Sequence, residues 1–351
     1  MRGSFAHGYL DDLALPPHTV RSISELGAHR GRQELFAEQS PQVLEVLREV
    51  AVVQSVESSN RIEGVTAEPE RLEALVAQKT APTDRSEQEI AGYRDALSLI
   101  HENATKIWPL TNGVVLQINR SMNSFMADPG GAWKSTNNDI IEWTPEGKQR
   151  VRFVPVRAHL VDDAMRDIHT SLHELWERGE IDPLVLSAAY VLDFLCVHPF
   201  IDGNGRMSRL LTLALLYHGG TDVGRFISIE RIVEESRKTY YEALAKSSTG
   251  WHEGKHDLLP WLEYYLGVLL VAYREFESRV SAAQSPKSAK RDLVIDSIRR
   301  LPWQFRFADV EKAWPGVSRQ TIERALGQMR DTGEIRLLGR GRDAVWERIS
   351  S

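Results

Sequence analysis

The chain has 351 residues, 42% hydrophobic and 26% charged, with a formal net charge of −6, which predicts a soluble globular protein of two or three domains. No run of about 18 apolar residues occurs, so a transmembrane helix is excluded, and the first residues lack the apolar stretch of a secretory signal. The single cysteine, Cys196, excludes a disulfide framework and predicts a reducing, cytoplasmic setting.

Residues 1–40 are punctuated by Pro16, Pro17, Gly27 and Gly31 and read as an extended arm. From Pro41 the spacing of Val43, Leu44, Leu47, Val50 and Ala51 predicts a helix, with Ser40 as its N-cap and Gly64 placed to stop it. A second amphipathic segment runs from about Ser86 to Ile100, and a third from Asn112 to Met126. Residues 131–155 break the pattern. Ile140, Ile141, Glu142 and Trp143 precede Thr144-Pro-Glu-Gly147, and Val151, Phe153 and Val154 follow, which predicts a β-hairpin. Helices are then expected at Leu160–Arg178, Pro183–Val197, Arg206–His218, Glu230–Lys246 and Leu258–Ala283.

Residues 282–290 are small and polar and read as a linker. Beyond it come helices at Asp292–Leu301, Phe307–Ala313 and Arg319–Asp331, with a turn at Gly316-Val-Ser318 before the last. Strands at Glu334–Leu338 and Ala344–Ile349 complete a pattern that resembles a winged helix-turn-helix. Trp303, Phe305, Phe307 and Trp314 would form its small core. From Lys287 onward 14 Lys and Arg face 9 Asp and Glu, a local +5 that leaves −11 on the rest. Ser318, Arg319, Gln320 and Arg324 on the third helix, with Arg336, Arg340 and Arg342 on the hairpin, could therefore meet DNA or dock a protein.

The run His198-Pro-Phe-Ile-Asp-Gly-Asn-Gly-Arg-Met-Ser-Arg209 carries the chemistry. Gly203, Asn204 and Gly205 lead into a helix, whose first amides make an anion hole. Arg206 and Arg209, three residues apart, share one face, so both could reach successive phosphates. Asp202 is a hard oxygen ligand suited to Mg²⁺ held jointly with phosphate oxygens. His198 stands close enough to act as a general base poised near neutral pH. Two other polar pairs read as structural: Cys196 and His198 do not face each other on a helix, so Cys196 is a buried thiol, and His169 with His173 reads as a solvated helix face.

This run matches in full the signature of Fic-domain proteins, and the chain is identified by resemblance as a protein adenylyltransferase of that family. The resemblance implies a mainly α fold, a helical bundle with a β-hairpin flap, over residues 106–281. An N-terminal helical region (1–105) would precede that core, and the 282–290 linker and a winged helix domain (291–351) would follow. It implies that His198 deprotonates a protein Ser, Thr or Tyr hydroxyl, which attacks the α-phosphate of ATP. Asp202 would hold Mg²⁺, residues 203–205 and Arg206 the phosphates, and Arg209 the γ-phosphate. Tyr240 and Tyr241 resemble the pair that lines the adenine pocket, although Ser247 and Ser248 depart from an asparagine found in some relatives. The flap strand at Ile140–Trp143 would lie by the nucleotide and dock the target chain.

Ser59-Asn-Arg-Ile-Glu63-Gly64 resembles the inhibitory motif of the subgroup with an N-terminal inhibitory helix, here about 41–64. A carboxylate in the last turn of a helix faces the negative end of the dipole, a poor place for it unless a cation stands opposite. By resemblance that cation is Arg209. The expectation is an auto-inhibited adenylyltransferase; relatives often form homodimers. Removal of AMP by the same site, and a DNA-binding regulator that only senses nucleotide, stand as alternatives.

Overall fold

The computed structural model describes residues 3–6, 8–39, 41–143, 147–284, 291, 294–295, 297–299, 304–314, 317–339 and 344–349. Ser40, Trp303, Gly316, Arg340 and Arg342 lie outside them, as do residues 144–146 of the hairpin turn. No described helix is long and apolar enough to cross a membrane.

The body is mainly helical. Its centre is helix α7 (Pro183–Val197), buried along nearly its whole length, so it shows no amphipathic stripe. Asp182 accepts from the Leu184 amide and Pro183 sits in the first turn, an N-terminus set by local sequence. Around α7 pack α6 (Val161–Arg178), α8 (Asn204–His218) and α11 (Leu259–Gln284). Helices α2 (Pro41–Ile62), α4 (Arg85–Ile107) and α5 (Asn112–Met122) lie beyond α8, with α4 against α8 and α5 against α4. The hairpin is present as β1 (Ile140–Trp143) and β2 (Gln149–Phe153), antiparallel.

Several expectations from sequence need correction. The supposed arm folds into turns over residues 3–6 and 8–12 and a long helix, α1 (Pro17–Gln39). Gly27 and Gly31 do not break it, because α1 is fastened along α11 by polar contacts: His29 and Arg32 to Glu277, and Arg274 to Glu25. Such pairing leaves little apolar period to read. A short helix, α3 (Pro69–Val76), was not expected. The boundary at residue 105 falls inside α4, so the N-terminal region and the core share that helix. The expected single helix from Glu230 breaks at Ser236, giving α9 (Ile229–Glu235) and α10 (Arg237–Ser248). The third amphipathic segment ends at Met122, not Met126.

His169 is not on a solvated face. It is buried, with Nδ1 by Asn112 and Nε2 by the Tyr190 hydroxyl, and burial pushes its pKa down to about 3. His173 packs its ring against Trp108. The start of the proposed linker is helical, since α11 runs to Gln284.

The C-terminal unit has its own core, including Phe305 and Trp314, with Phe307 packed on it. Its helices α12 (Phe307–Ala313) and α13 (Arg319–Asp331) are joined by a three-stranded sheet in the order β3 (Gln304–Arg306), β5 (Val345–Arg348), β4 (Ile335–Leu338). Strand β3 was not expected; three residues give no readable alternation. Arg306 and Lys312 pair with Glu70 and Glu73 of α3, at 2.7 and 2.8 Å.

The N-terminal turn plugs the body. Asp193, fully buried on α7, accepts from the Ser4 amide and hydroxyl, the Phe5 amide and the Trp251 indole. Burial still pushes its carboxyl up to about 6, although those donors favour the ionised form. Asp193→Asn puts an amide where two backbone donors now find oxygen. We expect a loss of about 2–4 kcal/mol, from orphaned donors at about 1–3 kcal/mol each, read as a lower denaturant midpoint.

Candidate active site

Helix α7 ends at His198, which takes left-handed backbone angles (φ 51°). A residue other than glycine there needs outside support. The following loop supplies it. The Phe200 amide donates to Asn204 Oδ1 while Asn204 Nδ2 donates back to the Phe200 carbonyl, at 3.0 and 2.8 Å. Phe200 is buried against Phe194 and Trp133. Lys134 closes the loop from outside: its amide donates to the Pro199 carbonyl, and its ammonium to Asn138 Oδ1 and, at 3.4 Å, the Val197 carbonyl. Asn138 in turn donates to the Phe200 carbonyl. Sequence reading missed both Lys134 and Asn138, because nothing in the local pattern distinguishes them from loop residues.

Burial pushes the His198 imidazole down to about 4, with the neighbouring Lys134 and Arg152 cations adding to the effect and Glu63 opposing it. That lies below the near-neutral value expected of this base from the sequence. The ring is neutral across the physiological range, the form able to accept a proton.

Helix α8 starts at Gly203, itself left-handed at φ 78°, and no side chain caps it. Its first amides are left for an anion. Gly205 leaves space for a close approach: a Cβ there would fall 2.2 Å from Glu63 Oε1 and push that carboxylate aside. The inhibitory-motif glutamate thus lies against the first turn of α8, where a negative group is favoured.

Arg209 is buried and turned toward α2. Its Nε donates to the Ser59 hydroxyl at 2.8 Å, and one Nη donates to both the Ser59 carbonyl (2.9 Å) and Glu63 Oε1 (2.8 Å). Burial opposes its charge, but Glu63, Tyr240 and Tyr93 outweigh that and hold its pKa above the ordinary value. The other Nη is buried without a partner. Gly64, at φ 82°, turns the chain out of α2 just after Glu63.

Arg206 does not share this face. Its guanidinium pairs with Glu89 of α4 at 2.7 Å and donates to Asn60 Oδ1 at 3.3 Å, both partners buried. The expectation that Arg206 and Arg209 together grip successive phosphates is therefore corrected: Arg206 ties α8 to α2 and α4. Three residues apart on a helix is about 300° of rotation, enough to send two long side chains to different neighbours.

Asp202 is exposed, and its Oδ1 accepts from the Gly203 amide at 2.6 Å. No group of three or more His, Cys, Asp or Glu among the described residues could hold a metal alone. One carboxylate beside an uncapped helix start suits Mg²⁺, which commonly takes one or two carboxylates and fills its shell with phosphate oxygens and water.

A cavity of about 220 Å³ brings together Glu63, Ile140, His198, Gly205, Tyr240 and Tyr241. Tyr240 is buried and meets Tyr241 edge-on at 5.1 Å. Arg152, Cys196 and Ser248 also line the cavity; Ser248 stands in the segment that departs from the relatives' asparagine. The cavity does not take in Ile141, which is exposed on the hairpin, or Glu142, which pairs with Arg150. Trp143 ends β1 opposite Gln149. Cys196 is buried, and burial raises its thiol pKa well above the ordinary value, which disfavours the reactive thiolate. In the C-terminal unit Ser318 caps α13, while Arg319 pairs with Glu323 and Arg336 with Glu347. Gln320 and Arg324 are exposed.

A protein-family model described as Fic/DOC family matches residues 109–216. The protein adenylyltransferase fic-1 of Caenorhabditis elegans is 33% identical over 113 residues, 32% of this chain and 20% of its own length. The protein adenylyltransferase Fic of Nematostella vectensis is 24% identical over 222 residues, 61% of this chain and 46% of its own. The ribonucleoside-diphosphate reductase small chain of Ostreid herpesvirus 1 is 38% identical over 66 residues, 19% and 11% respectively. The chain thus spans less than half the length of each of these curated relatives. A Fic family protein from Desulfovibrio desulfuricans G20 superposes with a TM-score of 0.63 at 22% identity, over 97% of this chain and 98% of its own, and shares the fold.

Proposed function

We propose that this chain, which carries a Fic/DOC domain, is an auto-inhibited protein adenylyltransferase that moves AMP from ATP to a Ser, Thr or Tyr hydroxyl of a protein. The observation that carries the reading is the pairing of Glu63 with Arg209 beside a cavity that also holds His198. In the reaction His198 takes the hydroxyl proton, and the freed oxygen attacks the α-phosphorus. That bond forms as the bond to the bridging oxygen breaks, and pyrophosphate leaves. The first amides of α8, at Asn204 and Gly205, face the phosphates, with Gly203 giving the turn that leads into them. Asp202 would hold Mg²⁺, which neutralises charge on phosphate oxygens when bound. Arg209, once free of Glu63, binds the terminal phosphate bidentately. Tyr240 and Tyr241 enclose the base, and strand β1 aligns the target chain.

A second reading has one observation in its favour. Glu63 lines the same cavity as His198, so its carboxylate could draw a proton from water and drive removal of AMP from a modified target. Incubating the protein with ATP labelled at the α- or the γ-phosphate tests both. Label transferred to protein from the α-position alone is the expected result, and label from the γ-position would mean kinase chemistry. Release of AMP from a pre-modified protein, with no addition, would favour removal. No transfer, alongside salt-sensitive DNA binding, would favour a regulator that only senses nucleotide.

A further inference from the structure

The hairpin contains an irregularity with a use. Ile140 pairs with Phe153 but Ile141 pairs with Val151, so Arg152 has no residue opposite. An extra residue of this kind bends the strand and re-aims its side chain, and such bulges gather beside active sites. Arg150, two residues earlier, follows the regular pattern and pairs with Glu142. Arg152 instead lines the cavity with Glu63 and His198, and its Nε is buried without a hydrogen-bond partner. The unpartnered Nη of Arg209, from α8, lies beside Gly205, which also lines this cavity. Buried donors left unsatisfied are costly, and one on the cavity wall, with a second beside Gly205 of that wall, suits an anion.

Resting on the nucleotide reading above, we infer that Arg152 is a phosphate ligand, contacting the phosphate that stands next to His198. Guanidinium suits this task because its donors form a rigid fork matched to phosphate oxygens. The inference also explains an otherwise awkward arrangement. A base that must gain a proton sits near two cations, Arg152 and Lys134, both of which oppose its protonation. A phosphate placed between Arg152 and the imidazole offsets that repulsion, so His198 becomes a better base only when nucleotide is bound. Arg152 lies in the flap, outside the twelve-residue run, and strand alternation alone would not send it inward.

Calorimetric titration of AMP and of adenosine separates this role from a structural one. The Glu63→Gly protein is compared with the same protein carrying Arg152→Met or Arg152→Lys. With methionine, AMP affinity should fall at least tenfold while adenosine affinity is unchanged; lysine should restore part of the loss. Unchanged AMP affinity overturns the inference, which would then leave Arg152 to an acidic target chain. Equal losses for AMP and adenosine overturn it too, because they mean a disturbed flap. Should the methionine variant unfold, Arg152→Gln gives the same comparison. If the Glu63→Gly protein binds neither ligand, the nucleotide reading itself fails, a result distinct from an Arg152 that proves indifferent.

Discussion

Replacing Glu63 with glycine is expected to raise AMP transfer by about 30- to 1,000-fold. The range follows from the pair it breaks. Arg209 is buried, holds Glu63 at 2.8 Å and donates two further bonds to Ser59. A close, partly desolvated charge pair of this kind is worth roughly 2–4 kcal/mol, and about 1.4 kcal/mol makes a factor of ten. Glu63 also occupies the space over Gly205 at the start of α8, so its removal opens both the guanidinium and the helix amides to phosphate. The fold should bear the change, since Glu63 follows the last residue of α2 and its side chain is about a third exposed. Initial rates of α-label incorporation measure the effect. Unchanged or lower activity with ATP binding intact would sink the inhibitory reading.

Replacing His198 with alanine in the Glu63→Gly protein should lower transfer by about 10²–10⁴-fold, the usual contribution of a placed general base. Nucleotide affinity should change little, since the phosphate contacts proposed here come from α8, Arg209 and Arg152. A neutral imidazole is what makes this a base rather than an acid. The left-handed backbone at residue 198 is held by the Phe200–Asn204 clasp and by Lys134, and the imidazole adds one hydrogen bond to the Leu195 carbonyl, at 3.3 Å. The protein should therefore fold normally, and a rate loss without a melting change isolates chemistry. A rate that survives would show that another group accepts the proton. The Asp193→Asn and Arg152 substitutions act elsewhere, on stability and on phosphate affinity, and their readouts do not overlap with this one.

Much of the site could be read without coordinates because its physics is local. A positive-φ glycine, a helix start and a histidine one turn before it lie within twelve residues, and spacing alone brings them together. The helices with strong caps, such as α7 behind Asp182-Pro183 and α13 behind Ser318, were legible for the same reason. Residues whose fate depends on a distant neighbour were misread. His169 looks solvated until Asn112 and Tyr190 enclose it. Arg206 looks like a partner of Arg209 until Glu89, more than a hundred residues earlier, claims it. Ser55, Ser58, Ser59 and Asn60, polar residues of one helix, are all buried where α2 meets α8 and α9.

By itself, then, the sequence determined the local devices: the uncapped helix start, the histidine before it, the hairpin, and a carboxylate placed where a helix end disfavours it. Tertiary structure decided which charge meets which. It sent Arg209 to Glu63 and Arg206 to Glu89, swung Arg152 into the cavity through a bulge, and plugged Asp193 with the N-terminal turn. Backbone preference is set within a few residues, whereas the partner of a long charged side chain is set by whatever element packing brings within about 3 Å.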